Sequence, residues 1–210
     1  MSKPAKPTPN LIITEGKNDK HVFYHLLAHH GIAEGLIAFQ EFDGVSRLLE
    51  GLPEQLKISG LERLGVVIDA DTDLSARWDA LKHIFTQAGY QRIPRQPLPE
   101  GTILLHTDLP KVGVWLMPNN QLPGMLEDFV SFLVPSNDSL WTKAGDCLSN
   151  IPTDQKRFNS LAKAHIHTWL AWQAEPGTPL GSAITKRYLD ADAEHAQRLM
   201  DWIRRLFELA

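Results

Sequence analysis

An α/β fold, with a mostly parallel sheet flanked by helices, is what this 210-residue sequence predicts, and three observations carry the reading. Short β-branched apolar runs alternate with stretches of helical spacing, the pattern of βαβ units. The central run, Leu64 to Ile68, is apolar without interruption, as a parallel strand covered on both faces must be. Two of the runs end in acids, Glu15 after the first and Asp69 after the central one. In open α/β sheets, ligands bind at those carboxyl ends of the strands.

The elements follow in order. The stretch 1–9 is rich in proline and lysine and lacks the apolar segment of a signal peptide, so it reads as a flexible lead. Asn10 to Thr14 is the first strand, followed from Asn18 or Asp19 by a helix running to His30, with Val22 and Leu26 on one side and Gly31 as C-cap. Leu36 to Phe42 is the next strand, Asp43-Gly44 a turn, and Val45 to Ile58 a helix that Pro53 divides or kinks. After the strand at Leu64, the spacing of Leu74, Trp78, Leu81, Phe85 and Ala88 predicts a helix capped by Thr72 or Asp73. Ile93 to Pro99 holds too much proline for helix or central strand and is a loop. Gly101 to His106 and Lys111 to Met117 then make an antiparallel edge pair, and a loop leads to a helix over Met125 to Leu133. Residues 10–134 therefore form the α/β core. Residues 135–210 read as a helical segment packed on it, with helices over Lys156 to Trp172 and Ile184 to Leu209. In the last helix, Trp202, Ile203, Leu206 and Phe207 form an apolar face that packs on the sheet or makes a homodimer seam.

Composition narrows the function classes. No run approaches the ~20 apolar residues of a membrane span, so no membrane partner is expected. The single Cys147 builds neither a disulfide framework nor a thiolate metal site, which suits a reducing cytoplasm. A net charge of −4 gives no global footprint for nucleic acid. Basic pairs at Lys156-Arg157 with Lys163, Arg92 with Arg95, Lys186-Arg187 and Arg204-Arg205 read mostly as solvated faces.

The chemistry lies in the acids. Glu15, Asp69 and Asp71 follow parallel strands and converge on one edge although they are some fifty residues apart in sequence. Carboxylates brought together with few basic neighbours repel unless a cation intervenes, and oxygen donors suit a hard ion such as Mg²⁺. Three histidines, His21, His25 and His29, recur at a spacing that could hold Zn²⁺. With no carboxylate partner evident on that face, a solvated or partly packed stripe is favoured. His165 and His167 read as helix-surface histidines, and Trp169 and Trp172 as core anchors rather than base-stacking platforms.

Glu15-Gly16 after an apolar strand, with Asp19 three residues beyond, followed by an apolar strand closing in Asp69-x-Asp71, resembles the Toprim domain shared by topoisomerases, primases and some nucleases. Leu126-Glu127 and Lys163 look like the extra acid and lysine of Toprim nucleases of the overcoming-lysogenisation-defect type. The whole chain also resembles a small bacterial Toprim-like family through Val114-Trp115-Leu116-Met117-Pro118-Asn119-Asn120 and Thr168-Trp169-Leu170-Ala171-Trp172-Gln173. The resemblance implies a Rossmann-like core in which Asp69 and Asp71 bind Mg²⁺ or Mn²⁺ and Glu15 is a ligand or general acid/base. Glu127, Asp19 and Asp73 would hold a second ion, and Lys163 would neutralise charge on a phosphate. The implied activity is metal-dependent cleavage or handling of a nucleic-acid phosphodiester. The ATPase domain normally fused to such units is missing, which opens a second class: a non-catalytic Toprim-like module serving a separate ATPase. A third comes from Val66 to Thr72, which matches the DxDx(T/V) signature of haloacid-dehalogenase-type phosphatases, with Asp69 as nucleophile.

Overall fold

The computed structural model describes residues 9–209, so the expected flexible lead lies, but for Pro9, outside the described residues. Five strands form one sheet in the order β2-β1-β3-β5-β4. They are β1 (Asn10–Thr14), β2 (Ala38–Glu41), β3 (Arg63–Asp69), β4 (Thr102–Leu104) and β5 (Lys111–Met117). β1 pairs in parallel with β2 and β3, and β3 with β5, while β4 runs antiparallel on the edge. The fold is thus mixed α/β with a mostly parallel sheet.

Side-chain alternation divides the sheet into two faces. Ile12, Val67 and Trp115 look one way, into a core shared with α1 (Lys17–His29), α4 (Leu126–Ser131), α6 (Leu161–Ala171), α7 (Leu180–Thr185) and α8 (Glu194–Phe207). Ile13, Val66, Ile68 and Val114 look the other way, onto α2 (Val45–Gln55) and α3 (Leu74–Gln87). Burial on both sides is why β3 needs no polar alternation. α5 (Ser139–Ser149) packs beside α6; there Trp141 stacks on His165 at 3.5 Å, and the Trp169 indole N–H donates to Asp138 at 2.9 Å.

Several elements are shorter than the sequence reading, β2, β4 and α2 by three residues each, and two boundaries in the C-terminal half differ more. The stretch expected to be one helix from Ile184 to Leu209 is two helices, because Arg187 adopts φ +58° and ends α7, and a turn follows in which Asp190 accepts the Asp192 N–H. The helix expected from Lys156 starts instead at Leu161, where the Ser160 hydroxyl caps the Lys163 N–H. α2 accommodates Pro53 in its final turn and runs on to Gln55. Among the described residues, no helix is long and apolar enough to cross a membrane.

The C-terminal helix resolves the choice left open by its apolar face: it lies on the sheet. Gly65 and Gly113 are register partners on β3 and β5, and Leu206 sits directly over both. Arg63 and Lys111, at the first residues of β3 and β5, bind the Glu208 carboxylate at 2.7 and 3.1 Å.

Candidate metal centre

At the opposite end of the strands, three turns build a cleft. In register, Thr14 lies opposite Val67 and Glu41, so the tips of β1, β2 and β3 finish side by side. After β1 comes Glu15, then Gly16, which caps α1. The Gly16 N–H donates to the Asp19 carboxylate at 3.2 Å, holding Asp19 under the turn. After β2 the chain is strapped to β1 by Phe42 N–H to Thr14 O and Gly44 N–H to Glu15 O. β3 ends in Asp69, whose Oδ1 accepts the Leu126 N–H at 3.0 Å; Glu127 follows in the first turn of α4. Lys163 reaches across from α6, its Nζ 3.7 Å from the Glu127 carboxylate.

The cleft has a volume of about 680 Å³ and is lined by Glu15, Asp19, Asp69, Glu127 and Lys163 together with Lys17, Glu41 and Asp43. Burial is pronounced for the acids: Asp19 is 7% and Glu127 4% exposed. Desolvation first, then the charges of Asp19, Glu15, Glu127 and Asp71, push the Asp69 carboxyl up to about 8. Asp19 rises to about 7, again chiefly by desolvation, with Glu15 and Glu127 contributing. Glu15 is raised as well by burial and by Asp71, partly offset by a backbone hydrogen bond from Asp69 and by the Arg77 charge.

A cation would answer what the protein leaves unpaired. Glu15 Oε2 and Asp19 Oδ1 are buried with no hydrogen-bond partner, a costly state for polar oxygens and more so once they are ionised. The donor set is all oxygen, which fits Mg²⁺ or Mn²⁺ rather than a softer ion. The spacing is open: among the described residues, the acids of the cleft contribute no trio of oxygens lying all within 4.8 Å of one another. Such spacing suits an ion that keeps several of its waters, as Mg²⁺ usually does.

Of the seven residues singled out in the sequence, Glu15, Asp19, Asp69, Glu127 and Lys163 come together here. Asp71 and Asp73 do not. The chain turns sharply after Asp69, with Asp71 at φ +53° and its backbone in a two-bond bridge to Gly124. The Asp71 carboxylate is ion-paired with Arg77, whose Nε also donates to Asp69 O at 2.9 Å. Asp71 therefore acts on the cleft through its charge, from outside the lining. Asp73 caps α3, accepting the Ala76 N–H at 2.9 Å on an exposed surface, and is corrected from ligand to capping residue. Glu41 was missed, although an acid ending a strand beside β1 obeys the same rule that found Glu15.

His165, stacked on Trp141, bonds the Trp141 carbonyl, and Trp169 is fully buried, so both serve packing. Asn119 and Asn120 fold the turn after β5: Asn120 accepts the Leu116 N–H at 2.7 Å, and Asn119 accepts from Gln121 and Leu122.

These features define a mixed α/β protein with an acidic cleft at the carboxyl edge of its parallel strands. Over residues 9–208 the chain matches the family described as a protein of unknown function, DUF3226, and it belongs to that family. No curated protein and no solved structure matches it.

Proposed function

We propose that this cleft is a divalent-cation site, in a Toprim-like and Rossmann-related core, at which a nucleic-acid phosphodiester is cleaved or handled. One observation carries the reading: four acids from three separate turns converge beside Lys163, and two of their buried oxygens lack partners. Glu15, Asp19, Asp69 and Glu127 would hold Mg²⁺ or Mn²⁺. The bound ion would supply Lewis acidity and neutralise phosphate charge.

The chain's own residues divide the remaining work. Leu126 N–H fixes one oxygen of Asp69, leaving the other to face the cleft. Glu15, with one unpaired oxygen and an affinity for protons above that of an ordinary glutamate, is placed to take a proton from an attacking water. The Lys163 side chain is more than half exposed and only loosely engaged by Glu127, so its ammonium can turn to a phosphate oxygen and offset developing charge. Without a cation, the acidic lining repels phosphate, so binding of the polyanion depends on the ion.

The phosphomonoesterase reading needs a second acid two residues after Asp69 facing the leaving group. Asp71 is engaged by Arg77 instead, so that reading is less favoured. The test is an assay panel of duplex DNA, single-stranded DNA, RNA and a phosphomonoester, with Mg²⁺, Mn²⁺ or EDTA, on wild type, Glu15→Gln, Asp69→Asn and Asp73→Ala. Cation-dependent cleavage or binding is expected, reduced about 100-fold or more in the first two variants and retained in the third. Cleavage persisting in Glu15→Gln and Asp69→Asn would place the chemistry elsewhere. Phosphomonoester hydrolysis through Asp69 would favour the phosphatase. Cation binding without turnover would favour the module that serves an ATPase.

A further inference from the structure

We infer that His29, His30 and Asp192 form a second metal site, separate from the cleft and selective for a borderline transition cation such as Zn²⁺. One donor atom from each of the three lies within 4.8 Å of the other two, and they come from segments more than 160 residues apart in sequence: the end of α1 and the turn that enters α8. His29 Nε2 sits 3.2 Å from both oxygens of Asp192, so one face of the site is already assembled. This is the carboxylate partner that the histidine spacing along α1 could not reveal by itself.

Of the other two histidines on α1, His25 has a partner of its own. His25 Nδ1 bonds the Thr185 hydroxyl at 2.7 Å, and Gly181 packs against the His21 backbone and the His25 ring. His30 differs from them. Its Nε2 lies 3.0 Å from the Ala191 carbonyl, an oxygen that can only accept, so Nε2 is the donor there, and in the neutral ring Nδ1 is the atom with a lone pair for a metal. A ring fixed this way by a backbone carbonyl is the arrangement that orients histidines for metal binding.

The donor set decides the ion. Two imidazoles and one carboxylate suit Zn²⁺, Ni²⁺ or Cu²⁺, whereas Mg²⁺ prefers oxygen alone. Three protein donors leave a fourth position for water, and the site's exposure supplies it. Binding replaces the His29 to Asp192 hydrogen bond with two metal bonds and clips α1 to the approach of α8. Because Gly16 caps α1 and Asp19 lies in its first turn, the clip also braces the helix that carries part of the cleft. It does not depend on the function proposed for that cleft.

The experiment is titration calorimetry and thermal unfolding of the whole chain, carrying no histidine tag, with ZnCl₂ alone and with MgCl₂ alone. Wild type is compared with His29→Ala, His30→Ala, Asp192→Asn and the cleft variant Asp69→Asn, each checked for folding by circular dichroism. One equivalent of Zn²⁺ is expected to bind and raise Tm. Losing a direct ligand should weaken binding by more than the roughly 10–100-fold that outer partners cost. Asp69→Asn should leave Zn²⁺ binding unchanged, and Mg²⁺ should not compete. Absence of Zn²⁺ binding, equal binding in the histidine and Asp192 variants, or loss confined to Asp69→Asn would overturn the assignment.

Discussion

Asp69 concentrates the electrostatics of the cleft. Its carboxyl, raised to about 8, and that of Asp19, raised to about 7, take up protons on folding that the unfolded chain would release near pH 4. The stability these protons confer is fully present below about pH 4 and is lost as pH rises through 7 and 8. In EDTA, Tm should therefore fall between pH 6 and pH 8.5, and the fall should be smaller in Asp69→Asn. Added Mg²⁺ should raise Tm more at pH 8.5 than at pH 6, because the cation replaces protons that are then absent. A Tm in EDTA that rises with pH over this range would contradict the burial of these acids. Lys163 carries the second prediction: Lys163→Met should leave Mg²⁺ stabilisation in place while lowering cation-dependent nucleic-acid affinity or turnover by about tenfold or more, measured side by side. An acid closing an apolar strand made Glu15 and Asp69 legible from the residues themselves, whereas Asp19 was open between cap and site and Glu127 entered through the Toprim resemblance. The sequence misled for Asp71 and Asp73, since alternate spacing suggests a shared face only while the strand continues. The backbone turns at Asp71 and hands its carboxylate to Arg77, a partner that spacing alone does not identify.

At the scale of elements, α8 and its seat on the sheet decide how the molecule closes. Its buried residues Leu199, Met200, Trp202, Ile203, Leu206 and Phe207 recur at helical spacing, which made the helix visible in the sequence. The seat was not visible. Gly65 and Gly113 look like weak strand residues until the register sets them side by side beneath Leu206. A Cβ on Gly113 would lie 2.5 Å from a Leu206 methyl and 3.0 Å from the Trp202 ring, whereas one on Gly65 meets nothing nearer than Ile12 at 3.0 Å and Leu206 at 3.4 Å. Gly113→Ala should accordingly cost about 1–3 kcal/mol in urea unfolding, and Gly65→Ala less. The break between α7 and α8 was missed for a related reason. Arg187 takes a left-handed conformation without glycine or proline to announce it.

For the molecule as a whole, the strand tips and the later helices are one assembly. Trp169, Leu180, Trp202 and Leu206, all beyond residue 134, share a continuous core with Ile12, Val67 and Trp115 of the sheet. A fragment ending at residue 134 would leave that face of the sheet covered only by α1 and α4, so it should lack a cooperative unfolding transition and bind a hydrophobic dye. Tm traces of fragment and full chain compared directly would check this. The alternating pattern of strands and helices made the parallel sheet readable. That the later helices pack on the sheet was readable too, but not which residues meet, because helical spacing tells which face of a helix is apolar and not what lies against it. The salt links from Arg63 and Lys111 to Glu208 stand where β3 and β5 begin, the far pole from the acids at their ends. A surface tether or fluorophore joined just past α8 would consequently leave the acidic cleft pointing into free solution, which makes that pole the natural handle for immobilised binding measurements.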